Sequence, residues 1–238
     1  MSVRTRLKHG DVFYLKVGEN KKYVFGRMLF DVKRQYHKLV DVNNMPNDIL
    51  HSLNYLRMTF ENCQLVEMYE GIYDNIEDFD LQNPKVLVPR IFTRQIDGSW
   101  NLLDWGKIGN IKVDYTKIEF PEQMRIGLPK QKICRGELAF LTTIGNTEME
   151  EKNYDYKSLV SGTGLLVSIC VCLQGRMDLS TLESKTIDYS DNFLKDKDLL
   201  YNPEFRTRIY TELGLDPNKS YYELSKELGF DLARFYEK

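Results

Sequence analysis

Asp11-Val-Phe-Tyr-Leu-Lys-Val17, Gly18-Glu-Asn-Lys-Lys22 and Tyr23-Val-Phe-Gly-Arg-Met-Leu-Phe-Asp-Val32 follow one another near the start of the chain. Phe13, Leu15 and Val17 recur every second residue, so an extended backbone places them on one face. The polar Gly18–Lys22 stretch reads as a turn. Tyr23 to Val32 reads as the return strand, with Val24, Met28, Phe30 and Val32 on one face. Gly26 falls on that same face, where a missing side chain admits a close neighbour or marks a bulge. This pair of strands predicts a β-rich start.

Further elements follow from the same rules. Lys38-Leu-Val-Asp-Val42 reads as a short third strand. Asn47 is an N-cap candidate, and Ile49, Leu53, Leu56 and Phe60 lie on one helical face, which predicts a helix near 48–61. Gln64–Tyr73 and Lys85–Ile96 read as strands. Asp97-Gly98 followed by Ser99–Leu103 carries the signal of a β-hairpin. Leu138–Ile144 and Gly164–Leu173 are uninterrupted apolar runs and read as strands buried on both faces. The polar, acidic stretch from Asn146 to Lys157 between them reads as a surface loop.

The C-terminal part is the best punctuated. Asn202-Pro203-Glu204 gives an N-cap, a proline at the first helical position and an acid in the first turn. Phe205, Ile209 and Leu213 form the apolar stripe, and Gly214 ends the helix. Ser220-Tyr-Tyr-Glu223 is a capping box, Leu224 and Leu228 follow, and Gly229 stops it. Glu212-Leu-Gly-Leu-Asp216 and Glu227-Leu-Gly-Phe-Asp231 repeat one helix-ending device. Asp231 caps a last short helix. The expected fold is therefore α+β. It has an N-terminal, strongly bent antiparallel sheet or small barrel with one packed helix, further strands, and short C-terminal helices. Residues 1–125 make a first β-rich region and 126–238 a second, which the sequence also allows to be one compact unit.

Composition narrows the function. The 238 residues are 42% hydrophobic and 12% aromatic, with a net charge of −2, so no overall field selects nucleic acid or membrane. The charge is unevenly spread. Residues 1–40 hold ten Lys/Arg against three acids, a net of +7, which leaves −9 for the rest. Such asymmetry marks either an interaction surface or two oppositely charged segments packed side by side. Cys63, Cys134, Cys170 and Cys172 form no CxxC and no metal-ligand spacing with histidine. Cys170 and Cys172, two apart in an apolar run, read as small hydrophobes on one strand face. Met1–Gly10 is polar and basic, unlike a signal peptide. The longest apolar run is about half of the roughly 20 residues a membrane helix needs. Reduced thiols and a cytoplasmic location are the expectation.

Signatures of catalysis are missing. No phosphate-binding, dinucleotide-binding, zinc-protease or serine-hydrolase motif is present. Gly162-Thr-Gly164 reads as a strand entry. His9, His37 and His51 show no local ligand spacing. The two C-terminal helices are short, and the second offers Lys226 among Glu223 and Glu227, which disfavours DNA contact. The expectation is a non-enzyme with no cofactor and no metal.

One segment stands out. Glu67-Met-Tyr-Glu-Gly-Ile-Tyr-Asp-Asn-Ile-Glu-Asp-Phe-Asp80 holds six acids in fourteen residues and no base. Tyr69, Ile72, Tyr73, Ile76 and Phe79 lie between the acids. The spacing is not that of a calcium loop. Carboxylates that steer and aromatics that anchor suit the grip on a basic protein. The candidate partner-binding residues are Glu67, Tyr69, Glu70, Tyr73, Asp74, Glu77, Asp78 and Asp80. A half-buried strand with a solvated acidic face is the competing reading.

Lys8-His-Gly-Asp-Val-Phe-Tyr-Leu-Lys-Val17 and Lys22-Tyr-Val-Phe-Gly-Arg-Met-Leu29 resemble the start of the immunity protein 26 family of bacterial polymorphic toxin systems. The family pattern falls here on Gly10, Asp11, Phe13, Tyr23, Phe25, Gly26 and Arg27. Leu39–Val42 and Val66–Tyr73 fit its later strands. The resemblance covers roughly residues 8–95, departs at the longer Gly18–Lys22 turn, and leaves the C-terminal half without a counterpart. It implies a cytosolic protein that neutralises a toxin, such as a nuclease, by direct binding, and it carries no catalytic residues. Two rivals remain. One is a nucleic-acid-binding β-barrel that uses the basic N-terminal strands with Tyr14, Tyr23, Phe25 and Tyr36. The other is an enzyme built on His9, His37 or His51.

Overall fold

The computed structural model describes residues 6–19, 21–41, 44, 62–125, 131–144, 160–180, 194 and 197–237. The fold is α+β. It divides into two compact units, each gathered from separate stretches of chain. The first takes Met1–Asp31, Asn62–Val113 and Leu159–Asp191, and the second takes Val32–Glu61, Asp114–Ser158 and Asn192–Lys238. The expected helix near 48–61 with its Asn47 cap, and the expected loop over Asn146–Lys157, lie outside the described residues.

The first unit is built on β1 (Asp11–Lys16), β2 (Tyr23–Asp31), β3 (Cys63–Tyr69), β4 (Val86–Arg94), β5 (Trp105–Asn110) and β9 (Val160–Ser161). They form one sheet in the order β5-β1-β2-β3-β4-β9. The first five strands are antiparallel to their neighbours, while β9 runs parallel to β4. The sheet stays open, with β5 and β9 as its edges, so the small barrel of the expectation is corrected to an open sheet. The β1–β2 hairpin has the expected pairing, from Val12 opposite Arg27 to Lys16 opposite Tyr23. Gly26 lies opposite Phe13. A Cβ there would sit 2.5 Å from Met68 Sδ, 2.6 Å from the Glu67 carbonyl and 2.8 Å from Phe13 Cζ. The glycine is thus required by space.

Two expectations for this unit are corrected. Asp97-Gly98 makes a turn but no hairpin, because the next strand, β5, pairs with β1. Asp97 accepts hydrogen bonds from the Leu7 N–H and the Gln64 amide, 90 and 33 residues away, and these non-local bonds redirect the chain. Gly164–Leu173 is a helix, not a strand (Thr163–Leu173). Continuous apolarity carries no period, and here Leu166 through Val171 are all buried on a helix. At 3.6 residues per turn, Cys170 and Cys172 point to different sides. The first is buried and the second half-buried, so the shared strand face is also corrected.

The second unit opens with a helical stretch, a π-type turn over Val32–Tyr36 and then α1 (His37–Leu39). The strand expected over Lys38–Val42 is therefore corrected for Lys38 and Leu39, and Val42 lies outside the described residues. Both helical residues are exposed, so no buried face drives them into a sheet. β6 (Glu122–Arg125), β7 (Gln131–Arg135) and β8 (Leu138–Thr142) form an antiparallel three-stranded sheet. β8 was expected to be buried on both faces, but Ala139 and Leu141 are exposed. These two, i and i+2 on the strand, share one face, and that face is open to solvent.

With α2 defined as Thr163–Leu173, the C-terminal helices are α3 (Pro203–Glu212) and α4 (Tyr221–Glu227). Their punctuation is as expected. The Asn202 side chain accepts from the Phe205 N–H at 3.3 Å, and Ser220 and Glu223 form the reciprocal capping box. Leu215 N–H donates to the Tyr210 carbonyl and Phe230 N–H to the Ser225 carbonyl, closing both helices after Gly214 and Gly229. Asp231 caps the last short turn through the Ala233 N–H. Inside this unit, Glu122 is fully buried. Its carboxylate meets Arg206 Nε at 2.6 Å and accepts from the Tyr210 hydroxyl. Arg135, also buried, pairs with Glu119.

Candidate protein-binding surface

The acidic segment begins inside the sheet. Glu67 and Tyr69 belong to β3, whose seven residues are all buried. Glu67 receives Arg27 Nε at 2.9 Å from the neighbouring strand β2. Tyr69 is 1% exposed, and burial followed by the Glu67 charge pushes its phenol well above the ordinary range. These two residues are corrected as partner-binding candidates, because β3 is an inner strand packed on both faces and leaves neither side chain exposed.

Beyond β3 the chain leaves the sheet. Gly71 takes φ +102°, and its N–H donates to the Gln174 side chain at 2.6 Å. A side chain there would strike the Tyr73 ring at 2.5 Å. Tyr73 and Tyr23 then exchange backbone hydrogen bonds of 2.9 and 3.0 Å. Residues 72–81 cross the sheet as a strap. Phe79 stacks on Phe25 with centroids 4.3 Å apart, and its ring also meets Tyr69 and Tyr73. Val12 joins this cluster, with Tyr14, Tyr23, Ile76, Leu81, Ile108 and Ile111 packed around it. The strap's apolar side chains therefore point inward. They build a small core of their own.

Its carboxylates point outward. Glu70, Asp74, Glu77, Asp78 and Asp80 are all exposed, and Tyr73 is half-buried between them. Three of the five have local partners. Asp74 pairs with Lys22 at 2.5 Å. Asp78 closes a capping box with Asn75 over the short 3-10 turn Ile76–Asp78. Asp80 accepts from the Asn83 amide and the Gln82 N–H, which lower its carboxyl below the usual range. The sequence separates the residues of this site poorly. Gly71, one residue past the exposed Glu70, is the local signal that the strand has ended.

The basic N-terminal segment is partly answered by this acidic one. Arg27 meets Glu67 and Lys22 meets Asp74, so part of the charge asymmetry is internal pairing between adjacent segments. The aromatics that would stack on nucleic acid are engaged. Tyr14 packs edge-on against Tyr23 at 5.4 Å, Phe25 lies under Phe79, and Tyr36 packs on Phe235 in the second unit. His9 is exposed at the surface, and the part of its ring that neighbours cover is the main cause of a lowered imidazole pKa. His37 belongs to the second unit, and His51 lies outside the described residues. Among the described residues, no group of His, Cys, Asp and Glu has the geometry of a metal site. Burial pushes the Cys134 and Cys170 thiols up to about 12.

The Gly10-Asp11 and Gly26-Arg27 positions are structural. Gly10 N–H donates to the Met28 carbonyl. Asp11 is buried, which by itself would raise its carboxyl pKa. The Lys107 ammonium at 2.7 Å, the Asn110 amide and the Lys8 N–H outweigh this and hold it below the usual range. Arg27 also reaches the Ile111 and Lys112 carbonyls. Among the described residues, no helix is long and apolar enough to cross a membrane. No family model matches the chain, and no curated protein or solved structure matches it either.

Proposed function

We propose that this chain is a binding protein that neutralises a basic protein partner, in the manner of an immunity protein and its toxin. One observation carries the reading. Five exposed carboxylates, Glu70 at the end of β3 and Asp74, Glu77, Asp78 and Asp80 on the strap, are displayed over an aromatic side packed down by Phe79 on Phe25. A charged surface held on a packed base needs little ordering when a partner arrives, and that saves association free energy. Exposed charges of this kind steer encounter and fix register. A nuclease active site is built to attract phosphate, so it presents the complementary sign. The likeness of Lys8–Leu29 to the immunity protein 26 family supports the same reading. No residue is assigned a catalytic role, and the cytoplasm is the proposed location because a toxin is neutralised where its target lies.

The test is co-expression with a toxin domain encoded beside this reading frame. The chain should restore growth, and Glu70→Lys/Asp74→Lys/Glu77→Lys should abolish the rescue while the protein stays folded. Rescue by the triple variant at wild-type level would overturn the acidic strap as the interface. Growth arrest with the wild-type chain present would overturn the immunity reading.

A further inference from the structure

Three tyrosines stand together beside the strap, on the face of the sheet that it crosses. Tyr14 on β1 meets Tyr23 on β2 in an edge-to-face contact with centroids 5.4 Å apart. Tyr23 exchanges two backbone hydrogen bonds with Tyr73 of the strap, a pairing that sets their Cα atoms about 5.5 Å apart. All three pack against the cluster of Phe25 and Phe79, so they share its face. Glycines fix two of the rings. A Cβ on Gly106 would fall 2.6 Å from the Tyr14 ring, and one on Gly71 would fall 2.5 Å from the Tyr73 ring. Each of these rings therefore lies against bare backbone. Phe25 and Phe79 also hold Tyr73, with centroids at 5.3 and 5.7 Å. All three tyrosines are half-buried, so each keeps part of its ring in water at a fixed place.

The field at these rings is negative. Asp104 is exposed, and its carbonyl accepts from the N–H of Lys16, two residues after Tyr14. Burial and then the Asp104 charge raise the Tyr14 phenol pKa, and burial followed by Asp80 and Glu70 raises that of Tyr73. Lys16, Lys21 and Lys22 lie at the same end of the hairpin and do not offset this, and Lys22 is already paired with Asp74. A field that opposes a phenolate favours a cation beside the ring, and the negative π face adds to the attraction. The same field repels phosphate. Arginine suits such a surface better than lysine, because its guanidinium is planar, weakly hydrated and stacks on aromatic rings. Tyrosine and arginine are also the residue types in which binding energy concentrates at protein interfaces.

We infer that Tyr14, Tyr23 and Tyr73 anchor the partner interface by receiving arginine side chains of the basic partner, whose guanidinium groups lie on the rings between Asp104 and the carboxylates of Glu70, Asp74 and Asp80. This rests on the acidic strap being part of that interface. The experiment titrates the full chain with fluorescein-labelled octa-arginine and octa-lysine at low salt. The peptides carry equal charge, so carboxylates alone bind them alike, whereas rings favour arginine. Octa-arginine should bind at least about fivefold tighter, the worth of one or two exposed cation–π contacts. Tyr14→Leu/Tyr23→Leu should bring octa-arginine to the octa-lysine level, and Tyr14→Phe/Tyr23→Phe should keep the preference because the rings remain. In the unaltered chain, octa-arginine should move the NMR ring signals of Tyr14, Tyr23 and Tyr73 and leave those of Tyr115 and Tyr222 in the second unit unmoved. That measurement reads the site even where the leucine variant fails to fold. Equal affinity for the two peptides, unmoved rings, or a preference that the leucine variant retains would overturn the tyrosine anchor. Equal binding that Glu70→Lys/Asp74→Lys/Glu77→Lys abolishes would leave the strap standing without the rings. A preference for arginine that ignores the triple variant would keep the rings and remove the strap from the interface. Binding of neither peptide would overturn both.

Discussion

The strap of the first unit and the Glu122 cluster of the second use the same residue types to opposite ends. In the strap, Phe79 and Tyr73 pack inward and the carboxylates stay in water. Around Glu122, two arginines and a tyrosine hydroxyl enclose a carboxylate with no exposure at all. Solvation decides what each can do. An exposed ion pair such as Lys22–Asp74 contributes at most about 1 kcal/mol and remains open to a partner. A buried one is committed to the fold, since removing either charge strands the other in low dielectric.

The largest expected effect is therefore in the second unit. Glu122→Gln should cost about 3–5 kcal/mol in urea unfolding, because Arg206 loses its only carboxylate partner among the described residues and Arg135 one of two. The network is incompletely satisfied. Arg135 Nε and Arg206 Nη2 are buried with no hydrogen-bond partner among the described residues, and such groups carry a desolvation cost. Glu122→Leu/Arg206→Leu should consequently be less damaging than Glu122→Gln alone. A double variant that loses the sum of its single losses would show that the two groups act independently, and the contrast with the strap would weaken.

Gly26→Val tests the sheet on which the strap rests. The added side chain meets Met68 and Phe13 well inside contact distance, and overpacking of this kind costs about 1–3 kcal/mol. The expected result is a lower melting temperature. An unchanged one would mean that the β2–β3 packing yields more easily than the geometry indicates. The helix caps come next. Asn202→Ala and Ser220→Ala should each cost about 1 kcal/mol by freeing an N–H in the first helical turn.

These residues also show what was legible from the sequence. Caps, the β1–β2 hairpin and the space at Gly26 are written locally, in spacings of two to four residues. Gly164–Leu173 misleads because an unbroken apolar run has no period to separate strand from helix. Asp97-Gly98 misleads because its turn is held by Leu7 and Gln64, not by flanking strands. Within the acidic segment, the chain signals both acids and aromatics. It does not signal that β3 stops at Tyr69, short of the strand expected to Tyr73, or that it hides Glu67. The Glu122–Arg206 pair spans 84 residues and leaves no local trace. Arg206 and Tyr210 stand one helical turn apart on α3, which marks the face they share and gives no hint of its partner.

The smallest expected effect on stability is in the strap itself, and it separates the two regions most sharply. Glu70→Lys/Asp74→Lys/Glu77→Lys replaces three exposed carboxylates. One of them pairs with Lys22, an exposed contact with 30% and 70% of the two side chains in water. Surface substitutions of this kind shift stability by about 0.5 kcal/mol or less each. Charge reversal also removes repulsion among neighbouring acids, which offsets part of the lost pair. Circular dichroism and the urea midpoint should therefore stay near wild type, whereas one change at Glu122 should not. Partner binding should behave in the opposite way. The triple variant should associate more slowly with a basic partner, and the defect should shrink as salt shortens the range of the field. Equal association rates at low salt would reduce the strap to a solvated cover over Phe25. A collapsed spectrum would show that its outer charges hold the fold as firmly as Glu122 does, and the distinction between the two regions would fail.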